Sequence, residues 1–144
     1  MNLSLKDLKT NFHTASPATS DEIAKLEAHF GFAFPGDFKE FLTVSNGLEG
    51  DVNDGYLVLW SAGEMIELNE AYKVKEFVAD IIIFGSDGAE EAFAFDISGA
   101  QTRIIKLPFI GMGHIPAEKL ADTFEAFLIP RVKQQKGFFK RIFG

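Results

Sequence analysis

The sequence of 144 residues contains no cysteine. Disulfides, thiolate nucleophiles and cysteine-ligated zinc sites are therefore excluded, and the absence fits a reducing compartment. No window approaches the roughly 18 consecutive apolar residues that a membrane-spanning helix needs. The N-terminal stretch also lacks the sustained apolar run of a signal peptide. We therefore expect a cytoplasmic protein without a membrane span.

Tryptophan and tyrosine are scarce, with one and two residues, whereas phenylalanine occurs sixteen times. A Phe ring buries a large apolar area and has no polar tip that needs a hydrogen-bond partner. These rings therefore predict a Phe-rich core. The chain length and the 47% hydrophobic content are those of one globular domain that can bury a continuous core.

Patterns that bind metal ions are also missing. The three histidines lie far apart and lack the spacing of a zinc-binding pair. The stretch Asp51-Val-Asn-Asp-Gly55 resembles the start of a calcium loop. Such a loop needs Gly at its sixth position and Glu at its twelfth, where this chain has Tyr56 and Ala62. We predict no metal ion and no other cofactor.

Positive charge is scarce in the middle of the chain. From Glu49 to Ala100, twelve Asp and Glu accompany two Lys, a net charge of −10. Residues 131–144 hold five Lys and Arg and no acid, a net charge of +5. The acidic middle would repel a nucleic-acid backbone and attract a basic partner. The alternative is that acidic strands and loops only keep a Phe-rich domain soluble.

Two helices are indicated by signals at their ends. Thr19-Ser-Asp-Glu22 matches a capping box, and apolar residues then recur at helical spacing as far as Gly31, a residue suited to a left-handed helix end. Pro35 can begin a second helix, and Asn46-Gly47 can end it. Its apolar stripe is Phe38, Phe41 and Leu42.

The rest of the chain mixes strand and helix patterns. Residues 48–55 are interpreted as a polar loop, and residues 64–72 suit either a strand or a helix. Residues 117–128 return to helical spacing. Strands are predicted at 56–60, 77–84, 92–97 and 103–107, with the second and third forming a hairpin. The order predicts a single α+β domain at residues 1–130 and a basic aromatic tail at residues 131–144.

In this order the patterns resemble the SUKH superfamily, in particular its Smi and Knr type, which includes bacterial immunity proteins and fungal cell-wall regulators. The resemblance covers residues 19–128. It includes the turn Gly85–Gly88 before the strand that ends at Asp96, and the late helix pattern Asp122–Leu128. The other matching residues are Ile23, Leu26, Glu27, Gly31, Pro35, Phe38, Phe41, Leu42, Asn46 and Gly47.

The resemblance implies an α+β fold with a curved, mostly antiparallel or mixed sheet flanked by helices, and no enzymatic activity. It also implies a role as an antidote that binds and blocks a secreted or contact-dependent toxin domain. Many such toxins are basic nucleases, which would suit the acidic middle. Direct nucleic-acid binding by this chain is not expected. The candidate partner-binding residues are Asp51, Asp54, Glu64, Glu67, Glu90 and Glu91, with Trp60 as an aromatic anchor if it is exposed.

Two other functions stay open. A scaffold or regulatory module would dock a cellular protein or a membrane through residues 131–144, although the aromatic side of that tail can instead pack on the domain. A carboxylate hydrolase would use Glu91 together with acids such as Asp87 and Asp96, but nothing in their spacing sets a catalytic separation.

Overall fold

The computed structural model describes residues 3–53 and 55–143, with side chains described as far as Lys133. Within these residues seven strands form one antiparallel sheet in chain order, and six helices accompany it. The helices are α1 Leu5–Lys9, α2 Ser20–Phe30, α3 Gly36–Val44, α4 Ala62–Ala71, α5 Val74–Phe77 and α6 Phe124–Phe143. The strands are β1 His13–Thr14, β2 Leu48–Val52, β3 Gly55–Leu59, β4 Ile81–Ser86, β5 Glu91–Asp96, β6 Arg103–Pro108 and β7 Glu118–Ala121. The predicted α+β fold is confirmed.

Both helices predicted near the N-terminus form. The Thr19 hydroxyl accepts a hydrogen bond from the Glu22 N–H, the Glu22 carboxylate accepts one from the Thr19 N–H, and Gly31 ends α2 at φ 59°. Helix α3 follows Pro35, but it ends at Val44 because Ser45 is already extended. Gly47, at φ 104°, therefore directs the chain into the sheet after the helix has ended.

The segment predicted as a polar loop at residues 48–55 contains β2. Leu48 and Gly50 are buried while Glu49 and Asp51 are exposed, which is the alternation of a half-buried strand. The sequence did not predict this strand because a glycine occupies one of its core positions and acids occupy its exposed positions. Gly50 is required there because a Cβ atom would lie 2.6 Å from the Phe12 ring.

The structure decides one assignment that the sequence left open, and it shifts one predicted strand boundary. Residues 64–72 lie mainly in α4, which begins at a capping box formed by Ser61 and Glu64. The strand predicted from residue 77 begins only at Ile81, because α5 extends to Phe77 and Asp80 takes a left-handed conformation at φ 58°. Local spacing alone does not show where such a turn interrupts an apolar run.

The helix predicted at residues 117–128 is divided. Residues 118–121 form β7, where Lys119 pairs with Ile105, and Lys106 pairs with Glu118 through an ion pair of 3.2 Å. Helix α6 begins only at Phe124. Pairing with β6 thus overrides the helical spacing of the segment, because a sheet contributes hydrogen bonds from another part of the chain.

The predicted hairpin of β4 and β5 is confirmed, and it forms the centre of the sheet. Phe93 and Phe95 point to one face, where α3 and α6 add further rings. The ring centroids of Phe84 and Phe95 are 4.7 Å apart, and those of Phe38 and Phe124 are 5.0 Å apart. The predicted Phe-rich core is therefore present, with edge-to-face and tilted ring contacts.

Helix α6 runs through the predicted boundary between residues 130 and 131. The Arg131 guanidinium lies 4.0 Å from the centroid of the Phe127 ring, and Val132 is buried. The side chains of residues 134–144, which include most of the predicted tail, lie outside the described residues. The division into domain and tail stays a prediction. In the part of the chain that the structure describes, no helix is both long and apolar enough to cross a bilayer.

Candidate functional site

Two hairpins bring acidic residues to one end of the sheet. Val58 of β3 pairs with Ser86 of β4, so the β2–β3 connection lies beside the turn between β4 and β5. A Cβ atom added to Gly88 in that turn would lie 2.9 Å from the Tyr56 ring, which shows how closely the two hairpins approach. Asp54, a predicted partner-binding residue in the β2–β3 connection, lies outside the described residues.

The hydroxyl of Tyr56 lies in a negatively charged environment at this end of the sheet. Its hydroxyl donates a hydrogen bond of 2.7 Å to a carboxylate oxygen of Glu49. This bond, followed by partial burial and the negative charges of Glu49 and Asp51, raises the pKa of Tyr56 above its ordinary value. Two carboxylates of β2 therefore act on one aromatic side chain of β3.

We call this end of the sheet the acidic end, and it consists of Glu49, Asp51, Asp87, Glu90 and Glu91. Among the described residues no ion pair engages any of these five carboxylates. The far end of the same hairpin is different, since Asp96 forms an ion pair of 2.6 Å with Arg103. In the described fold the carboxylates of the acidic end therefore lack the direct ion pairing that Asp96 has.

Glu64 and Glu67 lie on another element. Both are exposed on α4, whose buried residues are Ala62, Met65 and Asn69. The Glu64 carboxylate accepts the Ser61 N–H at 2.9 Å and so helps to begin the helix. No hydrogen bond or ion pair in the described residues joins these two acids to the acidic end. The fold places Asp51 in β2 and Glu90 and Glu91 at the β4–β5 turn, at the same end of the sheet, whereas Glu64 and Glu67 lie on α4.

Trp60 does not meet the condition set for an aromatic anchor. Its side chain is 6% exposed, and its ring stacks on Phe109 with 6.4 Å between centroids. Its backbone N–H donates to the carbonyl of Phe84, which extends the pairing of β3 with β4 by one residue. Trp60 is therefore a core residue, because it continues a central strand and turns its ring inward.

Sequence reasoning missed an exposed apolar patch beside the acidic end. The Phe109 N–H donates to the Glu90 carbonyl, so the loop after β6 begins at the acidic end. The Phe109 ring contacts Tyr72, and Gly113 lies against the carbonyl of Phe77. The signal in the sequence was IGMGHIP, a glycine-containing loop that is apolar where loops are usually polar. The apolar patch consists of Tyr72, Phe77, Ile110 and Ile115, which are 43%, 54%, 90% and 53% exposed.

A cavity of about 360 Å³ lies next to the acidic end, between β2, β3 and α6. Its lining includes Asp87, Lys106, Arg131 and Asn53, whose side-chain oxygen is buried and has no hydrogen-bond partner among the described residues. Burial lowers the pKa of Arg131 below its ordinary value. Its guanidinium also donates to the Phe127 carbonyl.

A second cavity, of about 390 Å³, lies where α2, α4 and α5 meet the start of β4. Glu91 lines neither cavity, so the hydrolase hypothesis gains no support from them. Among the described residues, no group of three His, Asp or Glu side chains is placed to hold a metal ion.

Comparisons with known proteins place the chain in a family. A protein of Bacillus subtilis (strain 168) with the name "Uncharacterized protein YnaB" is 39% identical over 74 residues, which are 51% of this chain and 47% of that protein. The chain thus spans about half the length of this curated relative. The model of the SMI1 / KNR4 family (SUKH-1) matches residues 17–129, from the residues before α2 into α6. The predicted resemblance is confirmed, and the chain belongs to the SMI1/KNR4 family (SUKH-1).

Proposed function

We propose that this chain is a non-enzymatic immunity protein that binds a toxin domain in the cytoplasm and blocks it through the acidic end. Membership of a family whose members include immunity proteins supports this proposal. The observation that carries it is the arrangement of five carboxylates around two adjacent hairpins, none of them engaged in an ion pair among the described residues.

The chemistry of the acidic end favours a basic partner. Clustered negative charge accelerates encounter with a positively charged surface, and it opposes the approach of a phosphate backbone. A nuclease domain, whose active site is built to hold phosphate, presents such a positive surface. The proposed partner is therefore a basic nuclease domain of a secreted or contact-dependent toxin.

The apolar patch would supply contact area that charge alone does not. Interfaces usually combine an apolar centre with a polar rim, and a few large side chains carry most of the binding free energy. Ile110 is the most exposed of the large apolar side chains in the described residues. It lies in the loop that begins at the acidic end through the bond between Phe109 and Glu90. We therefore propose Ile110, rather than Trp60, as the anchor residue of the interface.

The first test asks whether the chain neutralises a toxin. The toxin domain encoded next to the gene of this chain is co-expressed with it, and cell growth is measured with and without the chain. We expect growth to be restored and the two proteins to form a complex. A basic toxin domain from that locus that neither binds the chain nor is neutralised by it would contradict the proposal.

The second test separates the position of the charges from their number. One triple variant, Asp51→Asn with Glu90→Gln and Glu91→Gln, removes three negative charges from the acidic end. A matched control, Asp21→Asn with Glu76→Gln and Glu125→Gln, removes three exposed negative charges elsewhere. At low salt we expect association about tenfold slower in the first variant and within about twofold of the parent in the control. Equal rates in the two variants would contradict a role for the acidic end.

The same association assay assigns the remaining predicted contacts. Asp54→Asn and the pair Glu64→Gln with Glu67→Gln are measured separately, because Asp54 lies outside the described residues and the other two acids lie on α4. Raising the ionic strength to physiological values should reduce the association rate of the parent and affect the first triple variant less.

Ile110→Ser should mainly accelerate dissociation, because apolar contacts act after encounter.

A further inference from the structure

On the long side of β4 that faces β3, a side chain supplies hydrogen bonds that a neighbouring strand would otherwise supply. Strand β3 pairs with β4 at Val58–Ser86 and Leu59–Gly85, and the Trp60 N–H adds one bond to the Phe84 carbonyl, so this pairing stops before Ile83. The carboxamide of Asn69 takes the place of a strand residue beside Ile83. The Ile83 N–H donates to the Asn69 oxygen at 3.0 Å, and the Asn69 nitrogen donates to the Ile83 carbonyl at 2.8 Å. Asn69 thus offers the donor and acceptor pair that a neighbouring strand would offer.

The next position along this edge, at Ile81, is open. The Asp80 carbonyl accepts the Ile97 N–H at 2.9 Å, so residues 80 and 82 direct their backbone groups toward β5. Because these directions alternate along a strand, the backbone N–H and carbonyl of Ile81 point away from β5, as those of Ile83 do. Among the described residues no side-chain or loop group bonds to the N–H or the carbonyl of Ile81. Buried backbone groups are rarely left without partners.

The cavity of about 390 Å³ lies at this open position. Its apolar lining includes Phe30, Val74, Ile81 and Ile97. Its charged lining has both signs, with Lys73 and Lys75 near Glu70, Glu76 and Asp80. This balance favours an uncharged ligand over an ion of either sign.

Two residues of the lining also have unusual backbone conformations. Lys73 and Asp80 have φ values of 55° and 58°, in the left-handed region that side chains other than glycine seldom occupy. Such conformations cluster at ligand-binding sites in proteins, where the surrounding structure holds them. They flank the open edge, one at the start of α5 and one before β4.

We infer that this cavity binds an extended peptide segment, one residue of which pairs with Ile81 as a strand residue while its apolar side chain enters the cavity. The ligand must carry an amide N–H and a carbonyl in the spacing of one residue, which matches the N–H and carbonyl of Ile81. Asn69 shows that the adjacent position already accepts an amide group. The site is separate from the acidic end and does not depend on toxin binding.

The test uses the smallest ligand with this chemistry, N-acetyl-leucine N-methylamide. It is titrated into the full ¹⁵N-labelled chain, and the backbone amide signals are followed by NMR. We expect a saturable downfield shift of the Ile81 amide, with a dissociation constant in the range of about 1 to 10 mM for so small a ligand. No saturable shift at Ile81 up to about 50 mM would overturn the inference.

A matched ligand tests the backbone pairing itself. The analogue that carries a methyl group on the leucine nitrogen keeps the apolar side chain but cannot donate to the Ile81 carbonyl. We expect it to bind at least about fivefold more weakly, because one hydrogen bond to a desolvated group is lost. Equal affinity of the two ligands would show that the cavity takes an apolar group without strand pairing, and it would overturn the inference.

Protein variants place the binding in this cavity. Ile97→Trp is designed to fill it and should abolish the shift, whereas Lys25→Gln changes an exposed residue outside the lining and should leave the affinity within about twofold. If Ile97→Trp does not fold, as judged by its amide spectrum, Ile97→Phe replaces it. Unchanged binding by the folded filled variant would overturn the inference. The acidic-end triple variant should bind this ligand like the parent, so failure here and failure of the immunity function are distinguishable.

Discussion

At the scale of single residues, the burial of Phe41 could be predicted from the sequence, whereas the burial of Asn69 could not. Phe41 belongs to an apolar stripe with helical spacing, and the structure buries it against Phe124 with 5.5 Å between ring centroids. Asn69 carries no comparable signal, because a polar residue within a helix pattern usually faces water. Its burial follows from the backbone of Ile83, which is far away in sequence and needs a donor and an acceptor.

We predict that Phe41→Ala lowers the free energy of unfolding by about 3 to 5 kcal/mol, because truncating a buried ring leaves a cavity. Urea unfolding followed by circular dichroism gives this value. The matched control is Phe77→Ala, since Phe77 is 54% exposed and its loss should change stability by no more than about 0.5 kcal/mol. Equal stability of the Phe41→Ala variant and the parent would show that the stripe of α3 is not part of the core.

At the scale of elements, local signals were most reliable where both ends of an element are marked. Helix α2 has a capping box and a terminal glycine, and it forms where the sequence predicts it. Strands β2 and β7 were missed because charged or small residues occupy their positions. Their formation depends on pairing with β3 and β6, which no local pattern specifies.

The hairpin of β5 and β6 makes stability depend on pH. Burial alone would raise the pKa of Asp96, but hydrogen bonds from Ser98 and Arg103 and the charge of Arg103 outweigh it and hold the pKa below its usual range. The carboxylate therefore stabilises the fold above the unfolded pKa of about 4, and this contribution is lost as the pH falls through the lower folded value.

We therefore expect Asp96→Asn to be less stable than the parent at pH 7, with a difference that shrinks as the pH falls below about 4. Urea unfolding of both proteins across this range measures the difference. The control is Asp51→Asn, because Asp51 is exposed and forms no ion pair among the described residues. A difference for Asp96→Asn that is independent of pH would contradict a role for the ionised carboxylate.

At the scale of the whole molecule, the distribution of charge separates the proposed function from its alternative. The acidic end belongs to the sheet, whereas much of the positive charge lies in residues 131–144. Arg131 and Val132 already pack with the core, so a deletion that begins after Lys133 keeps these contacts. Such a deletion removes three positive charges and no negative one, which changes the net charge from −7 to −10.

We predict that the chain without residues 134–144 still neutralises its toxin and associates at least as fast as the parent at low salt, because its negative charge is larger. Growth rescue and association rates measure the two effects. Loss of neutralisation by a truncated chain that still unfolds cooperatively would favour a docking module that acts through the tail.

Much of the family pattern is local and was predictable from the residues alone. Caps, terminal glycines and apolar stripes act within a few neighbouring residues, so α2, α3 and the hairpin of β4 and β5 follow from short stretches of sequence. The placement of Asp51 and Glu90 at one end of the sheet, the burial of Trp60 and the unpaired backbone of Ile81 do not follow from such stretches. They depend on strand register and on the approach of α4 to β4, and these are set by contacts between residues distant in the chain.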